Sequence, residues 1–304
     1  MTGIVEIYRR WPTHEACIAH LEQVRWGESP TCPYCQSDKV ARHREVTRHS
    51  RWQCWACRKS FAVTVGTIFH RTHIDLQRWF CLISLMMAAK KGVSSLQASR
   101  DIGIQQPTVW SMMHRIRKAL KDDGALLSGI VEMDETYVGG KPRKANRRKD
   151  DPPGGQGVTT KTPIIGAVER GGRVKAVATT KRELTGEDME AVTRIMVATR
   201  DTILTTDQHA GYGGVNKFMA HRTINHSVSY SERDLFASIF GATHTNTIEG
   251  FWAIVKRAIY GQFHHISEKY LPLYLNELTW RYSERRNPDR FAGVLHLAVK
   301  PQTA

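Results

Sequence analysis

The sequence predicts an α/β multidomain chain, and three observations carry that prediction. Two Cys-x-x-Cys pairs, Cys32-Pro-Tyr-Cys35 and Cys54-Trp-Ala-Cys57, frame a short module near the start. Helix signals follow, with capping residues at Asp75 and Ser94 and a proline at position 107. Beyond Gly129, strand-like apolar runs alternate with amphipathic stretches, as a sheet flanked by helices requires. At 304 residues the chain has room for more than one domain, and these regions divide it at 1–65, 66–123 and 124–304.

The composition, 41% hydrophobic and 24% charged, is that of a globular protein and excludes a disordered or collagenous chain. The longest mostly apolar run, Trp79 to Ala89, is too short to cross a bilayer, which takes about 20 residues. Met1 to Arg10 lacks a secretory pattern. A cytoplasmic protein with no membrane partner is the expectation. Lysine and arginine number 44 against 29 acidic residues, a formal charge of +15. Such a surplus suits a partner rich in phosphate, because neutralising a nucleic-acid backbone releases its counterions.

The two cysteine pairs are 18 residues apart. Each Cys-x-x-Cys turn converges two thiolates on one side of a knuckle, and two knuckles supply the four sulfurs of a tetrahedral zinc site. Val40 to Arg44, Arg51 to Gln53 and Ser60 to Val65 read as short hairpin strands, so the module is predicted to be a zinc ribbon ligated by Cys32, Cys35, Cys54 and Cys57. A module this small draws much of its folding energy from the metal. Cys17 and Cys81 fall in helical stretches and are expected to be buried as small apolar residues.

Asp75 caps a predicted helix from Leu76 to Lys91, and Ser94 caps another from Ser95 to Asp101. Gly103 breaks that helix, and Pro107 sits in the first turn of a third, which runs to about Lys121. Val109, Met113, Ile116 and Leu120 form its apolar stripe, while His114, Arg115, Arg117 and Lys118 fall on its other faces. This layout is that of a helix-turn-helix, whose last helix enters the major groove. The expected DNA contacts are Gln105, Gln106, Thr108 and Ser111 early in the helix, with Arg115 and Lys118 further along.

The second half carries acids on strands. Gly129 to Val138 reads as a buried strand bearing Glu132, Asp134 and Glu135, and a carboxylate there is costly unless it binds something. Thr162 to Val168 and Val174 to Thr180 are the next strands, with Gly171-Gly172 between them as a hairpin turn. Thr185 caps a helix from Gly186 to about Ala198, and Thr202 to Thr206 is a short strand ending at Asp207. Asn246 to about Tyr260 forms a helix with Ile248, Phe251, Trp252, Val255 and Ile259 on its apolar stripe. Glu249 and Lys256, two turns apart, point the same way. Asn246-x-x-Glu249 is also a capping-box pattern. Two acids on strands and one on a helix suit a two-metal site for in-line displacement at phosphorus. The residues alone leave Asp134, Glu132 and Glu135 open, with the loop acids Asp122, Asp123, Asp150, Asp151 and Asp201 as weaker candidates.

Met133-Asp-Glu-Thr-Tyr-Val-Gly-Gly-Lys141, Thr206-Asp-Gln-His-Ala-Gly-Tyr212 and His244-Thr-Asn-Thr-Ile-Glu-Gly-Phe-Trp252 with Lys256-Arg257 resemble the insertion-sequence transposases of the ISXO type. Gly261 to Ser267 and Tyr282 to Asn287 are also similar to that family, and the resemblance spans about Thr31 to Asn287. It implies an RNase-H-like catalytic domain, a mixed sheet flanked by helices. It implies that Asp134, Asp207 and a third residue, counted in the family as either the Asn246 or the Glu249 position, hold Mg²⁺ or Mn²⁺. Glu249 is expected as the main ligand because a carboxylate binds Mg²⁺ better than an amide, with Asn246 as helper and Lys256 facing a DNA phosphate. The implied reaction is cleavage at a transposon end, which frees a 3′-OH, and then attack of that 3′-OH on target DNA. The implied partners are the terminal inverted repeats, the target duplex and a second copy of the chain, on a prokaryotic nucleoid.

Between the first two strands, Lys141 to Lys161 is longer than a compact hairpin needs. Its Arg143, Lys144, Arg147, Arg148 and Lys149 are expected to engage DNA. Two other readings compete: a DNA-binding regulator with a decayed nuclease domain, and a nuclease of the same fold that does not join strands.

Overall fold

The computed structural model describes residues 2–43, 51–139, 161–181, 183–208, 210–224 and 243–301. They fall into two compact units, Met1–Leu120 with Asn287–Ala304, and Lys121–Arg286.

In the first unit, α1 (Ile4–Arg10) and α2 (His14–Trp26) lead into a three-stranded antiparallel sheet of β1 (Val40–Arg42), β2 (Trp52–Cys54) and β3 (Ser60–Phe61). Glu22 of α2 fastens this sheet, accepting from Trp52 Nε1 at 2.8 Å and Arg42 Nη2 at 2.6 Å. Helices α3 (Leu76–Ala88), α4 (Ser95–Ile102) and α5 (Gln106–Ala119) follow. Asp75 and Ser94 cap α3 and α4 through the backbone N–H groups of Gln77 and Gln97. Gly103 adopts φ +63°, the left-handed conformation that ends a helix cheaply only for glycine. Arg78 Nη1 donates to the carbonyls of Ile102 and Gly103 and so closes the C-terminus of α4.

The last helix, α9 (Arg290–Ala298), belongs to this first unit. Phe291 packs with Trp11 and Phe80 at centroid distances of 5.6 and 5.5 Å. The expected third domain, 124–304, is therefore corrected at its end, because the apolar face of α9 is buried among α2, α3 and α5. Cys17 and Cys81 are buried, as expected, and burial pushes the Cys17 thiol up to about 12.

The second unit is built on a five-stranded sheet. Its strands are β4 (Leu127–Val138), β5 (Thr162–Glu169), β6 (Val174–Ala178), β7 (Val197–Asp207) and β8 (Ala220–Ile224), in the order β6-β5-β4-β7-β8. β4, β5 and β6 are antiparallel neighbours, while β7 lies parallel to β4 and β8 parallel to β7. This mixed sheet, flanked by helices, is RNase-H-like. Helix α6 (Gly186–Met196) starts in a Thr185/Asp188 capping box, and β7 leaves it without a loop, so Val197 and Ala198 are strand residues and not the helix end the sequence suggests. A register shift between Leu127 and Gly129, with Gly129 at φ +76°, bends the start of β4.

Alternation along β4 and β5 feeds two cores. Val131, Met133, Ile165 and Ala167 pack with Met189 and Met196 of α6. Val138, Ile164 and Val168 pack with α7 (Asn246–Arg257) and α8 (Leu271–Ser283). The apolar stripe predicted for α7 is buried in full, at 0–4% exposure for Ile248, Phe251, Trp252, Val255 and Ile259. A π-helical turn, Ala258–Phe263, continues α7.

Candidate active site and metal centre

Asp134 lies on β4 and Asp207 ends the adjacent parallel strand β7. The parallel register of the two strands runs to Glu132 and Thr205, two residues before Asp134 and Asp207, and the Asp207 charge acts on the Asp134 carboxyl. The Asp134 carboxyl is pushed up to about 7, first by burial and then by the Glu135 and Asp207 carboxylates. Trp252 Nε1 of α7 donates to Asp134 Oδ2 at 3.0 Å. The indole reaches that position because residue 166, opposite Asp134 on β5, is glycine. A Cβ at Gly166 would lie 2.5 Å from Trp252 Cη2.

The other two acids of β4 are spent elsewhere. Glu132 is fully buried and binds the start of α7 and Arg170. Glu135 points to the α6 face, where the buried Tyr212 hydroxyl donates to its Oε2 at 3.0 Å. Of the three acids on β4, Glu132 and Glu135 thus have partners on α7 and at Tyr212, while Asp134 accepts from Trp252 and feels the Asp207 charge. Thr206 is also fully buried, and its hydroxyl shares a 2.8 Å hydrogen bond with His221 Nε2 of β8, which steadies the end of β7.

Glu249 sits exposed in the first turn of α7, and the Thr245 hydroxyl donates to its Oε1 at 3.2 Å. Asn246 is the first helical residue, not the cap, so the expected Asn246/Glu249 capping box is corrected: Thr245 precedes the helix without a side-chain cap. Lys256 is exposed near the helix end. Asp122 and Asp123 pair with Lys175 and Arg173, and Asp201 is exposed. Asp150 and Asp151 lie outside the described residues.

The four cysteines form a closed cluster. All four sulfurs lie within 4.8 Å of one another, with Cys32–Cys57 at 3.7 Å and Cys35–Cys54 at 3.6 Å. A tetrahedron of Zn–S bonds of about 2.3 Å has edges of about 3.8 Å, so the donors fit zinc in both chemistry and spacing. Among the described residues, Asp134, Asp207 and Glu249 do not form such a closed group. Their oxygens are the hard donors Mg²⁺ and Mn²⁺ prefer, and a cation would relieve both the burial and the neighbouring carboxylates that raise the Asp134 carboxyl.

Helices α4 and α5 keep the predicted helix-turn-helix spacing across Gly103–Gln105. Gln105, Ser111 and Lys118 are exposed and Thr108 is half-buried. Gln106 Nε2 donates to Ser95 Oγ at 2.7 Å. Arg115 is corrected as a free surface cation: its Nη2 donates to the His70 carbonyl at 2.6 Å and its guanidinium lies over Trp79. His114 and Arg117 are buried side by side, 3.1 Å apart, not exposed as their helical positions suggest. Three helices, α3, α4 and α9, pack around α5 and leave it little free face. Arg143, Lys144, Arg147, Arg148 and Lys149 lie outside the described residues. The sequence reading missed Trp252, Gly166 and Arg170; the last two are visible only through strand register.

A cysteine-clustered ribbon and a carboxylate-bearing RNase-H-like sheet in one chain define a class, the zinc-ribbon transposases of DDE type. Residues 126–283 match the ISXO2-like transposase domain and residues 12–60 match the transposase zinc-ribbon domain. The chain belongs to the ISXO2-like transposase family. A Halobacterium salinarum protein described as an uncharacterized protein in transposable element ISH50 is 24% identical, over 90% of this chain and 92% of its own length. Two solved structures show loose likeness. One is a simian T-cell lymphotropic virus intasome in complex with PP2A regulatory subunit B56 gamma, at 13% identity and a TM-score of 0.30. It covers 66% of this chain and 65% of that one, just under two thirds of the latter. The other is the Mos1 strand transfer complex, at 12% identity and a TM-score of 0.26, covering 74% of this chain and 78% of that one.

Proposed function

We propose that this transposase binds the ends of its own element and catalyses DNA strand cleavage and strand transfer through Asp134, Asp207 and Glu249. The observation that carries the reading is the Asp134 carboxyl on β4, raised to about 7 by burial and by the Glu135 and Asp207 carboxylates, with Asp207 ending the adjacent parallel strand. Divalent cations bound by these carboxylates would stabilise the attacking and leaving oxygens of an in-line displacement at phosphorus. Trp252 orients Asp134 by its 3.0 Å hydrogen bond, and Thr245 does the same for Glu249. Asn246, one residue into α7, assists Glu249. Lys256, two turns along, meets a backbone phosphate.

End recognition falls to the ribbon and to α5. Ser111, Thr108 and Lys118 are the contacts of α5, with Gln106 held toward Ser95, while Arg115 serves the fold. The basic segment with Arg143, Lys144, Arg147, Arg148 and Lys149 adds phosphate contacts. Pairing two element ends calls for at least two copies of the chain.

The test is a cleavage and strand-transfer assay on labelled DNA carrying the flanking ends of the gene, with Mg²⁺ or Mn²⁺. Metal-dependent cutting and joining, lost in Asp134→Ala, Asp207→Ala and Glu249→Ala variants that still bind the ends, supports the reading. Cutting without joining moves it to a nuclease. Specific binding with no cutting under any metal overturns the catalytic assignment.

A further inference from the structure

Glu132 is fully buried, and every contact the structure gives it serves one junction. One oxygen accepts from the backbone N–H groups of Thr247 at 2.7 Å and Ile248 at 3.1 Å. The other accepts from the Thr247 hydroxyl at 2.8 Å and from Arg170 Nε at 2.7 Å. His244 Nδ1 lies 3.1 Å from that same oxygen, and Arg170 Nη2 donates to the His244 carbonyl at 3.0 Å. Thr247 and Ile248 are the second and third residues of α7, whose first N–H groups have no partner within the helix. The residue before the helix, Thr245, offers them no side-chain cap. A carboxylate on a strand 115 residues earlier caps the helix instead. Its charge is matched by the guanidinium and by the positive end of the helix, as a buried carboxylate requires.

The location of this cap matters more than its strength. Glu132 and Asp134 are two residues apart on β4 and share a face. Ile248 and Glu249 are consecutive on α7. The Glu132 cap and the Trp252–Asp134 bond thus tie the strand of the first acid to the helix of the third at two points, one turn apart.

We propose that Glu132, braced by Arg170, is a positioning residue that sets Glu249 at its distance from Asp134 and so fixes the affinity of the carboxylate site for a divalent cation. The proposal rests on the reading that Asp134 and Glu249 form that site. Glu132 itself touches no reacting atom.

Full-length Glu132→Gln and Thr247→Val variants test it, with Mn²⁺ binding followed by electron paramagnetic resonance without DNA, and the Mn²⁺ midpoint of end cleavage measured separately. Residues behind a metal ligand typically change affinity or activity by about 10–100-fold. Glu132→Gln is expected to melt cooperatively, bind end DNA like wild type and shift both Mn²⁺ midpoints upward by about 10-fold or more. Thr247→Val, which removes only a hydroxyl, should move both in the same direction by less. Glu132→Ala should lie beyond Glu132→Gln, since the amide still offers an acceptor to the helix. Unchanged midpoints in Glu132→Gln overturn the proposal. If Glu132→Gln fails to fold, Thr247→Val decides in the same way. A wild-type chain with no metal-dependent cleavage and no Mn²⁺ binding overturns the underlying reading instead.

Discussion

The ribbon and the sheet each gather chemically like groups, with opposite energetic consequences. In the ribbon, four thiols come within 4.8 Å of one another at the ends of two local turns, around a core of little more than Phe61 and its neighbours. Bringing them together creates a metal site, and the metal in turn holds the module. In the sheet, Asp134 and Asp207 are brought together by strands buried between two extensive cores. There the two cores hold the sheet, and the raised Asp134 carboxyl makes the proposed site a burden on it. One cluster is a reason for the fold, the other an expense of function.

The largest effect that could break this contrast lies in the ribbon. Structural zinc in small modules contributes about 10–16 kcal/mol, so Cys54→Ser, or chelation, should unfold the ribbon strands β1, β2 and β3. Hydrogen exchange should rise there and stay slow in β4, β5 and β7. Equal loss of protection in both units would refute the contrast.

Asp134→Asn is the counterpart, expected to lower cleavage by about a thousand-fold, or roughly 4 kcal/mol of barrier, while raising stability. Between about 4 and about 7 the folded chain binds a proton at Asp134 that the unfolded chain has released. Without divalent cations, this group therefore makes stability fall as pH rises through that window. The asparagine variant should lose that slope and gain on the order of 1–3 kcal/mol at neutral pH, as read from denaturant melts. A destabilised variant would contradict the picture of a costly site.

Gly166→Ala sharpens the contrast from the packing side. The added methyl meets the Trp252 ring at 2.5 Å, and overpacking of this kind costs about 1–3 kcal/mol. Melting temperature and cleavage should fall together, whereas a loss of either one alone would separate the indole from Asp134. The smallest effect is on α5. Lys118→Ala should reduce the salt dependence of end binding by a log–log slope of about 1 with little change in stability. Arg115→Ala should do the reverse, costing about 1–3 kcal/mol of stability through its lost carbonyl and ring contacts.

What could be read in the sequence follows the same division. The ribbon was legible because Cys32, Cys35, Cys54 and Cys57 converge through turns only four residues long. Helix caps at Asp75, Ser94 and Thr185 were legible for the same reason. Asp134, Glu132 and Glu135 could not be separated, because their difference lies in partners more than 70 residues away, Tyr212 for one and Thr247 for another. Arg115 and Arg117 read as surface cations because helical periodicity reports one buried face, and α5 is enclosed from three directions. Gly166 had no signal, since its role is to leave room for a ring on another element.

Helix α9 bears on the order in which the protein matures during synthesis. Phe291 joins Trp11 and Phe80, and the Ala298 carbonyl accepts from the Ile68 amide, so this helical core includes a segment translated after the whole sheet. Trp11 and Phe80 must wait for α9, made after the sheet, before that core closes. A ribosome-bound chain therefore finishes its sheet before its helical unit, and a product that stops before α9 would be impaired first in the unit that holds α1 to α5.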